Sequence, residues 1–234
     1  VRLVNSLQGP FWVWDQDHLG QVLESNIYPQ GWWDGHLKPF IDEVADPQKI
    51  AVDVGASVGW FSRYFASLFR WTISIEAHPG TYELLVKNTQ GLPVECWNFA
   101  AYDRETTLEL APEHELGWPV PNGDLNQTPN ASSVAFIPAP GGGIKAFPVD
   151  ELLSNRTDIA LIKLDTQGCD LRALMGLRQA ISNSKPRIIF EYEAGASEWH
   201  GDTWADYLRF FEEIEYQEPL HVRDDVVDWV ADPR

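Results

Sequence analysis

The stretch "KIAVDVGASVGWFSRYFA", Lys49 to Ala66, constrains this chain more than any other. Ile50 to Val54 is a short apolar run carrying one acid, Asp53. Gly55 and Gly59 then bracket a turn of small residues, and an aromatic-rich amphipathic pattern begins at Trp60. An apolar run bounded by glycine reads as a buried strand, and the pattern after it as a helix. An acid at the end of such a strand, facing a turn with almost no side chains, calls for a reason.

The same alternation continues along the chain. Strand 50–54 and helix 59–69 are followed by strand 71–76 ("WTISIE"), helix 80–89 and strand 93–99 ("PVECWNF"). Later come strand 158–165 ("DIALIKLD"), helix 169–182, strand 187–192 ("RIIFEY"), helix 203–213 and one or two weak strands in the tail 216–234. Strands of near-continuous Ile, Val and Leu separated by helices predict an α/β fold, a mostly parallel sheet covered on both faces. Residues 1–47 are aromatic-rich, punctuated by Pro and Gly around "YPQGWWDGHLKPF", with one helix expected from about Leu37 to Val44. Residues 104–149 break the rhythm with the extended pieces "TTLEL", "SSVAF" and "KAFPV", separated by Pro and Gly that include "APGGG". With no internal repeat and no low-complexity linker, residues 1–234 read as one domain, with an N-terminal cover (1–47) and a β-rich insertion (104–149).

Composition excludes several classes. No apolar run approaches the roughly 20 residues of a membrane span. Val1 to Gln8 lacks the basic start and apolar core of a secretory signal, and a chain opening on Val leaves room for an upstream segment. Cys96 and Cys169 form no metal spacing and read as buried thiols in a reducing, cytoplasmic compartment. Asp and Glu outnumber Lys and Arg by 35 to 17, a formal net charge of -18, and no basic run occurs. A long nucleic acid is therefore an unsuitable partner. The acidity serves solubility, or attraction of a cationic ligand.

Ligands of open parallel sheets bind beyond the carboxyl ends of the strands. Gly55 and Gly59 admit close backbone approach there, Ala56 and Ser57 add little bulk, and the helix start offers N–H groups. The dinucleotide fingerprint G-x-G-x-x-G is absent. An acid two residues before the first glycine suits an ammonium or sulfonium better than a pyrophosphate, and S-adenosylmethionine (SAM) carries both cations. The bland alternative is a tight strand–helix turn. Glu76 ends the second strand, where an acid accepts hydrogen bonds from both hydroxyls of a ribose; otherwise it is an N-terminal charge for the next helix. Ala77 follows it. In "NFAAYD", Asn98, Ala100 and Ala101 are placed to border a flat adenine ring.

Lys163 and Asp165, two apart in "IALIKLDTQGCDLRAL", share a face of the fourth strand. Asp165 faces the cofactor or the substrate, or else caps the following helix with Lys163 as its structural partner. Glu191 and Glu193 end the fifth strand on one face. His200, in the loop "ASEWHGDTW", titrates in a useful range, so Asp165, Glu191, Glu193 and His200 are candidate bases. His36, His78, His114 and His221 form no metal-ligating pattern, and no metal is expected. Of eleven tryptophans, Trp12, Trp14, Trp32 and Trp33 precede the glycine turn. They pack the cover onto the sheet, or stack on sugar rings as part of a lid.

The series "VDVGASVGWFSRYFA", "SIEAHP", "NFAAYD", "NASS", "FPVDELL", "IKLDTQGCDLRALMGL" and "IIFEYE" resembles the FkbM-type SAM-dependent methyltransferases over roughly residues 11 to 220. The resemblance implies a class I SAM-methyltransferase fold, a Rossmann-like three-layer sandwich. It also implies methyl transfer to a hydroxyl of a small molecule or saccharide. Asp53, Gly55 and Gly59 match the family's cofactor loop, Glu76 its ribose acid, and Lys163, Asp165 and Gly168 its post-insertion motif. Ser57 stands where the family usually has Asn, Gln167 where it usually has Glu, and Asp170 for a more typical Glu. The loss of a charge at Gln167 raises a second expectation, a SAM-binding protein without transfer. A nucleotide-dependent oxidoreductase is disfavoured by the glycine spacing.

Overall fold

The computed structural model describes residues 1–25, 32–111 and 134–234. The "NASS" motif, His114 and part of "SSVAF" lie outside the described residues.

An antiparallel hairpin opens the chain, β1 (Arg2–Ser6) and β2 (Gly9–Val13), followed by α1 (His18–Ser25). A 3-10 turn at Gly35–Leu37 leads into α2 (Lys38–Glu43), which matches the expected helix. The hairpin was not expected. A lone two-stranded hairpin is marginal in water, and this one is held from outside: Asn88 accepts from Trp12 N–H at 2.7 Å, and its amide donates to Trp12 O at 2.8 Å and Val58 O at 2.7 Å.

The alternating region then runs β3 (Ile50–Val54), α3 (Trp60–Leu68), β4 (Trp71–Ile75), α4 (Pro79–Thr89) and β5 (Val94–Trp97). The insertion supplies β6 (Ala100–Ala101), β7 (Thr106–Leu110), β8 (Phe136–Pro138) and β9 (Ile144–Phe147). These form a separate sheet in the order β6-β9-β7-β8, with β6 parallel to β9. After α5 (Asp150–Leu153) come β10 (Ile159–Leu164), α6 (Asp170–Met175), α7 (Arg178–Ser184), β11 (Arg187–Glu191), α8 (Ala194–Glu198) and α9 (Trp204–Glu213). The tail adds β12 (Leu220–His221) and β13 (Asp228–Ala231).

Where one helix was expected over 169–182 there are two. At Gly176 an added Cβ would sit 2.1 Å from the Tyr102 carbonyl oxygen, so the backbone is pressed against the root of the insertion. Asp150 then starts the second helix by accepting from Gln179 N–H at 2.7 Å and Ala180 N–H at 2.9 Å, donors a helix start leaves unpaired.

The main sheet has the order β12-β13-β11-β10-β3-β4-β5. The five strands from β5 to β11 pair in parallel, and β13 runs antiparallel to both its neighbours. β3 and β10 are buried along their whole lengths, which is why they carry unbroken Ile, Val and Leu. One buried cluster packs Val52, Val54 and Ile162 with Leu171, Leu174 and Phe211, and another packs Ala51, Leu161 and Ile189 with Trp60, Phe65 and the cover residues Phe11 and Val13. From β3 the chain moves one way to β4 and β5, then returns to β10 on the other side. That reversal opens a crevice between β3 and β10 at their carboxyl ends. Cys96 is half-buried rather than buried, because β5 is an edge strand; Cys169 is buried, and both thiols are free.

Candidate functional site

The turn after β3 is fixed to both neighbouring strands. Gly55 and Ala56 N–H both donate to Ile75 O, at 2.9 and 3.0 Å, while Asp165 N–H donates to Val54 O at 3.0 Å. Gly55 has φ of +77°, and a Cβ there would lie 1.9 Å from the Asp165 carbonyl oxygen. Its glycine is therefore demanded first by the close approach of the two strand ends. Gly59, the residue before α3, is likewise a packing glycine: a Cβ would stand 2.9 Å from Leu85. Ser57 holds a left-handed φ of 48° and donates its N–H to Glu76 Oε2 at 2.9 Å.

Glu76, 8% exposed, accepts a second backbone donor, His78 N–H, on Oε1 at 2.8 Å. Its carboxylate thus joins the two strand-end turns. Burial pushes its carboxyl up to about 7, against the pull of those two N–H groups. Around it lies a narrow cleft. Ala77 and Phe99 line it beside the main sheet, Ala100, Ala101, Leu108 and Phe136 from the insertion's sheet, and Gly55, Ser57, Asp165 and Gln167 from the strand ends. Asn98 departs from expectation. It is exposed, and its amide donates to Glu76 O at 2.8 Å and Ala77 O at 3.2 Å, so it props the acid's backbone rather than walling the cleft.

A second, roomier cavity shares Gly55, Ser57, Asp165 and Gln167 with the first. Asp53 and Ala56 face this one. The register sets Asp53 beside Ser74 on β4 and Lys163 on β10, and its Oδ2 accepts from Ser62 Oγ at 2.6 Å. Burial pushes the Asp53 carboxyl up to about 6 although Lys163 pulls it down.

Lys163, 3% exposed, donates to Asp165 Oδ2 at 3.0 Å, as two same-face positions allow. Burial alone would pull its ammonium down; Asp165, Asp53 and Glu191 outweigh that and hold it above the ordinary lysine range. Gln167, at φ 53°, donates through Nε2 to Asp165 Oδ1 at 2.8 Å and Glu191 Oε2 at 3.2 Å. The residue that breaks the family pattern therefore ties two carboxylates together. Burial, then Asp165, pushes the Glu191 carboxyl well above its ordinary range. Asp165 does not cap the next helix. Asp170 organises that loop instead, accepting from Thr166 Oγ1 at 2.6 Å and Glu191 N–H at 3.2 Å. Gly168 is obligatory, since a Cβ would sit 2.6 Å from the Ala196 backbone.

Two candidate bases stand elsewhere. Glu193 is exposed, because β11 ends at Glu191 and the strand alternation with it. His200 is 7% exposed, with Nδ1 3.2 Å from Tyr102 Oη and Nε2 3.1 Å from Cys169 Sγ, and it borders neither cavity. Burial, then Arg172, lowers it to about 4. It is a packing histidine. The tryptophans divide similarly: Trp14 Nε1 donates to Thr81 Oγ1 at 3.3 Å and Trp32 packs on Trp60 with ring centroids 5.2 Å apart, while Trp33 lines the second cavity. Sequence reasoning missed Asp34 and Asp228 on that cavity and Phe99 and Phe136 on the cleft. Among the described residues no group of three His, Cys, Asp or Glu could hold a metal ion, and no helix is long and apolar enough to cross a membrane.

A five-stranded parallel core with its switch point between β3 and β10, extended by one reversed strand, is the class I SAM-dependent methyltransferase fold. The methyltransferase FkbM domain matches residues 53–218, and the chain belongs to that family. Among solved structures, the FkbM methyltransferase of Methylobacillus flagellatus is 19% identical, with 79% of this chain and 43% of that one covered at a TM-score of 0.49. This chain thus spans less than half of that protein's length. A TehB-like SAM-dependent methyltransferase from Corynebacterium glutamicum is 15% identical, covering 84% and 85% of the two chains at 0.46. A SAM-dependent methyltransferase from Leishmania major is also 15% identical, covering 84% and 69% at 0.47. No curated protein matches. The cofactor is SAM, and family membership sets aside the oxidoreductase alternative. The residues present are compatible with it: apolar Ala100 and Phe136 line one cleft together with the acid Glu76, and further carboxylates line the cavity beyond Gly55.

Proposed function

We propose that this protein methylates a hydroxyl oxygen of a small molecule or saccharide. The observation that carries the reading is the pair Asp165 and Glu191, bridged by one amide where the two cavities meet. Bound SAM supplies a methyl group activated on a sulfonium. Glu76 receives the ribose hydroxyls, Ala77, Ala100 and Ala101 border the adenine, and Asp53 and the Gly55–Gly59 turn face the methionine portion.

The acceptor enters through the second cavity. Alignment of its oxygen supplies much of the rate, and Glu191 takes the hydroxyl proton on its carboxylate. Glu191 is the better base of the pair, because Asp165 already accepts from Lys163 and Gln167 on its two oxygens. Gln167 thus serves transfer rather than signalling its loss.

The chain is one methyltransferase domain in which the cover and the insertion act as a lid that excludes water and sets substrate choice. The free thiols support a reducing, cytoplasmic setting. Incubation with SAM and a library of hydroxylated small molecules and saccharides, read by mass spectrometry, tests the reading. Transfer abolished by Glu191→Gln supports it. Cofactor binding with no transfer to any hydroxyl would leave a SAM-binding protein.

A further inference from the structure

Glu191 ends β11 directly opposite Asp228 on β13, and both line the second cavity. Residues paired across antiparallel strands project from the same face, and like charges placed there repel. Two acids at this pair are a conflict built into the sheet, and each is answered separately. Gln167 Nε2 donates to Glu191 Oε2 at 3.2 Å, while His36 Nε2 lies 2.8 Å from Asp228 Oδ2.

The second contact is shielded from water: the His36 and Asp228 side chains are 14% and 6% exposed. Facing a carboxylate, an imidazole donates through Nε2 whether it is neutral or protonated. His36 comes from the 3-10 turn of the cover and Asp228 from the tail, both outside the family match at 53–218. The contact therefore ties two flanking segments together beside Glu191, and fixes where the Asp228 carboxylate stands.

A carboxylate becomes a useful base for a hydroxyl only as its proton affinity climbs toward the working pH. For Glu191, burial and then Asp165 at the end of β10 raise it; Lys163 on β10 opposes the rise, and Asp228 on β13 and Asp170 on α6 add to it. Of the cavity's other charges, Asp34 shares the cover with His36, and Asp225, in the loop before β13, pairs with Arg223. Asp165 and Asp170 also organise the loop after β10, through Gln167 Nε2 and Thr166 Oγ1. Asp228 lies across β11 from that loop and meets Glu191 by strand pairing alone.

We propose that Asp228, held in place by His36, is a positioning residue that makes Glu191 an effective base. The inference rests on the reading of Glu191 as the group that takes the acceptor's proton.

Carbon NMR of the full chain, labelled at the glutamate side-chain carboxyl and bound to S-adenosylhomocysteine, follows the titration of Glu191 itself. Its signal is the one lost in Glu191→Gln. Asp228→Asn keeps an acceptor oxygen for His36 in the same volume, so it should fold, and melting curves check this. The Glu191 midpoint should fall by about one pH unit in that variant, and likewise in Asp228→Ser. His36→Ala, which frees Asp228 to turn away, should lower it in part, and His36→Gln, which keeps a donor, should restore it. An unmoved midpoint in folded Asp228→Asn or in folded His36→Ala overturns the inference. If Glu191→Gln then still abolishes transfer to the hydroxyl library, the reading of Glu191 as base survives that failure. Full transfer by Glu191→Gln overturns the reading and the inference together, whatever the midpoints do.

Discussion

Replacing Glu76 by glutamine separates a charge from a shape. The carboxylate accepts Ser57 N–H on one oxygen at 2.9 Å and His78 N–H on the other at 2.8 Å, and has lone pairs left for ribose hydroxyls. Glutamine fills the same volume with only one acceptor oxygen. Its amide must turn an NH₂ group toward one of the two N–H donors, so one turn loses its tether and the ribose loses a charged acceptor. A hydrogen bond to a charged group contributes about 1.5–3 kcal/mol, so SAM affinity should fall roughly ten- to a hundredfold. Titration calorimetry at pH 8, above the value of about 7 to which burial raises this carboxyl, measures the largely ionised parent. Ribose donors favour the ionised form, so parental affinity should weaken as pH falls through about 7, and the variant's should not. Melting curves establish that the variant folds. A folded Glu76→Gln protein with parental affinity at pH 8 would refute the ribose assignment.

Gly55→Ala should cost at least ~2 kcal/mol of stability, from its left-handed backbone and the clash with Asp165 O, so melting temperature and SAM binding fall together. A parental melting temperature would show that the strand ends can part at no cost. Glu191→Gln should slow single-turnover transfer by about 10²–10⁴-fold with little change in SAM affinity; weakened binding at an unchanged rate would move Glu191 to the cofactor. Gln167→Glu places a third carboxylate against Asp165 and Glu191, and should shift the pH–rate profile upward by about one unit. An unmoved profile would mean the pair does not carry the proton. Asp53, Glu76 and Asp170 are buried with folded values raised to about 6, 7 and 6, so they favour the folded state below about pH 4 and that contribution is lost as pH rises through 6–7. The ligand-free melting temperature should fall between pH 5 and pH 8, and a rise would contradict this.

Strand identity was legible because β3 and β10 are buried on both faces and leave no choice of residue. Once the strands are parallel, their carboxyl ends share a rim, and Asp53, Glu76, Asp165 and Glu191 follow. Legibility ended where position depends on distant pairing. Glu193 lies two residues past Glu191, but the strand stops between them. His200 reads as a loop histidine, and only the fold brings Cys169 and Tyr102 against it. Asp34 and Asp228 are 194 residues apart in sequence and meet because β13 inserts beside β11, a pairing no local pattern announces. The hairpin at residues 2–13 escaped because its short strands, one bearing Pro10, need Asn88 to hold them.

The insertion leaves and rejoins the fold at one place. Ala100 and Ala101 pair in parallel with Ala146 and Phe147, and Phe99 stacks on Phe147 with ring centroids 4.0 Å apart. With both ends clamped together, the insertion's described strands β7, β8 and β9 hang from the fold at one point. The strand ends that carry Asp53, Glu76 and Asp165 belong to the other sheet, which closes without the insertion's strands. The insertion thereby adds Leu108 and Phe136 to the cleft as a wall built apart from the sheet that sets the acids.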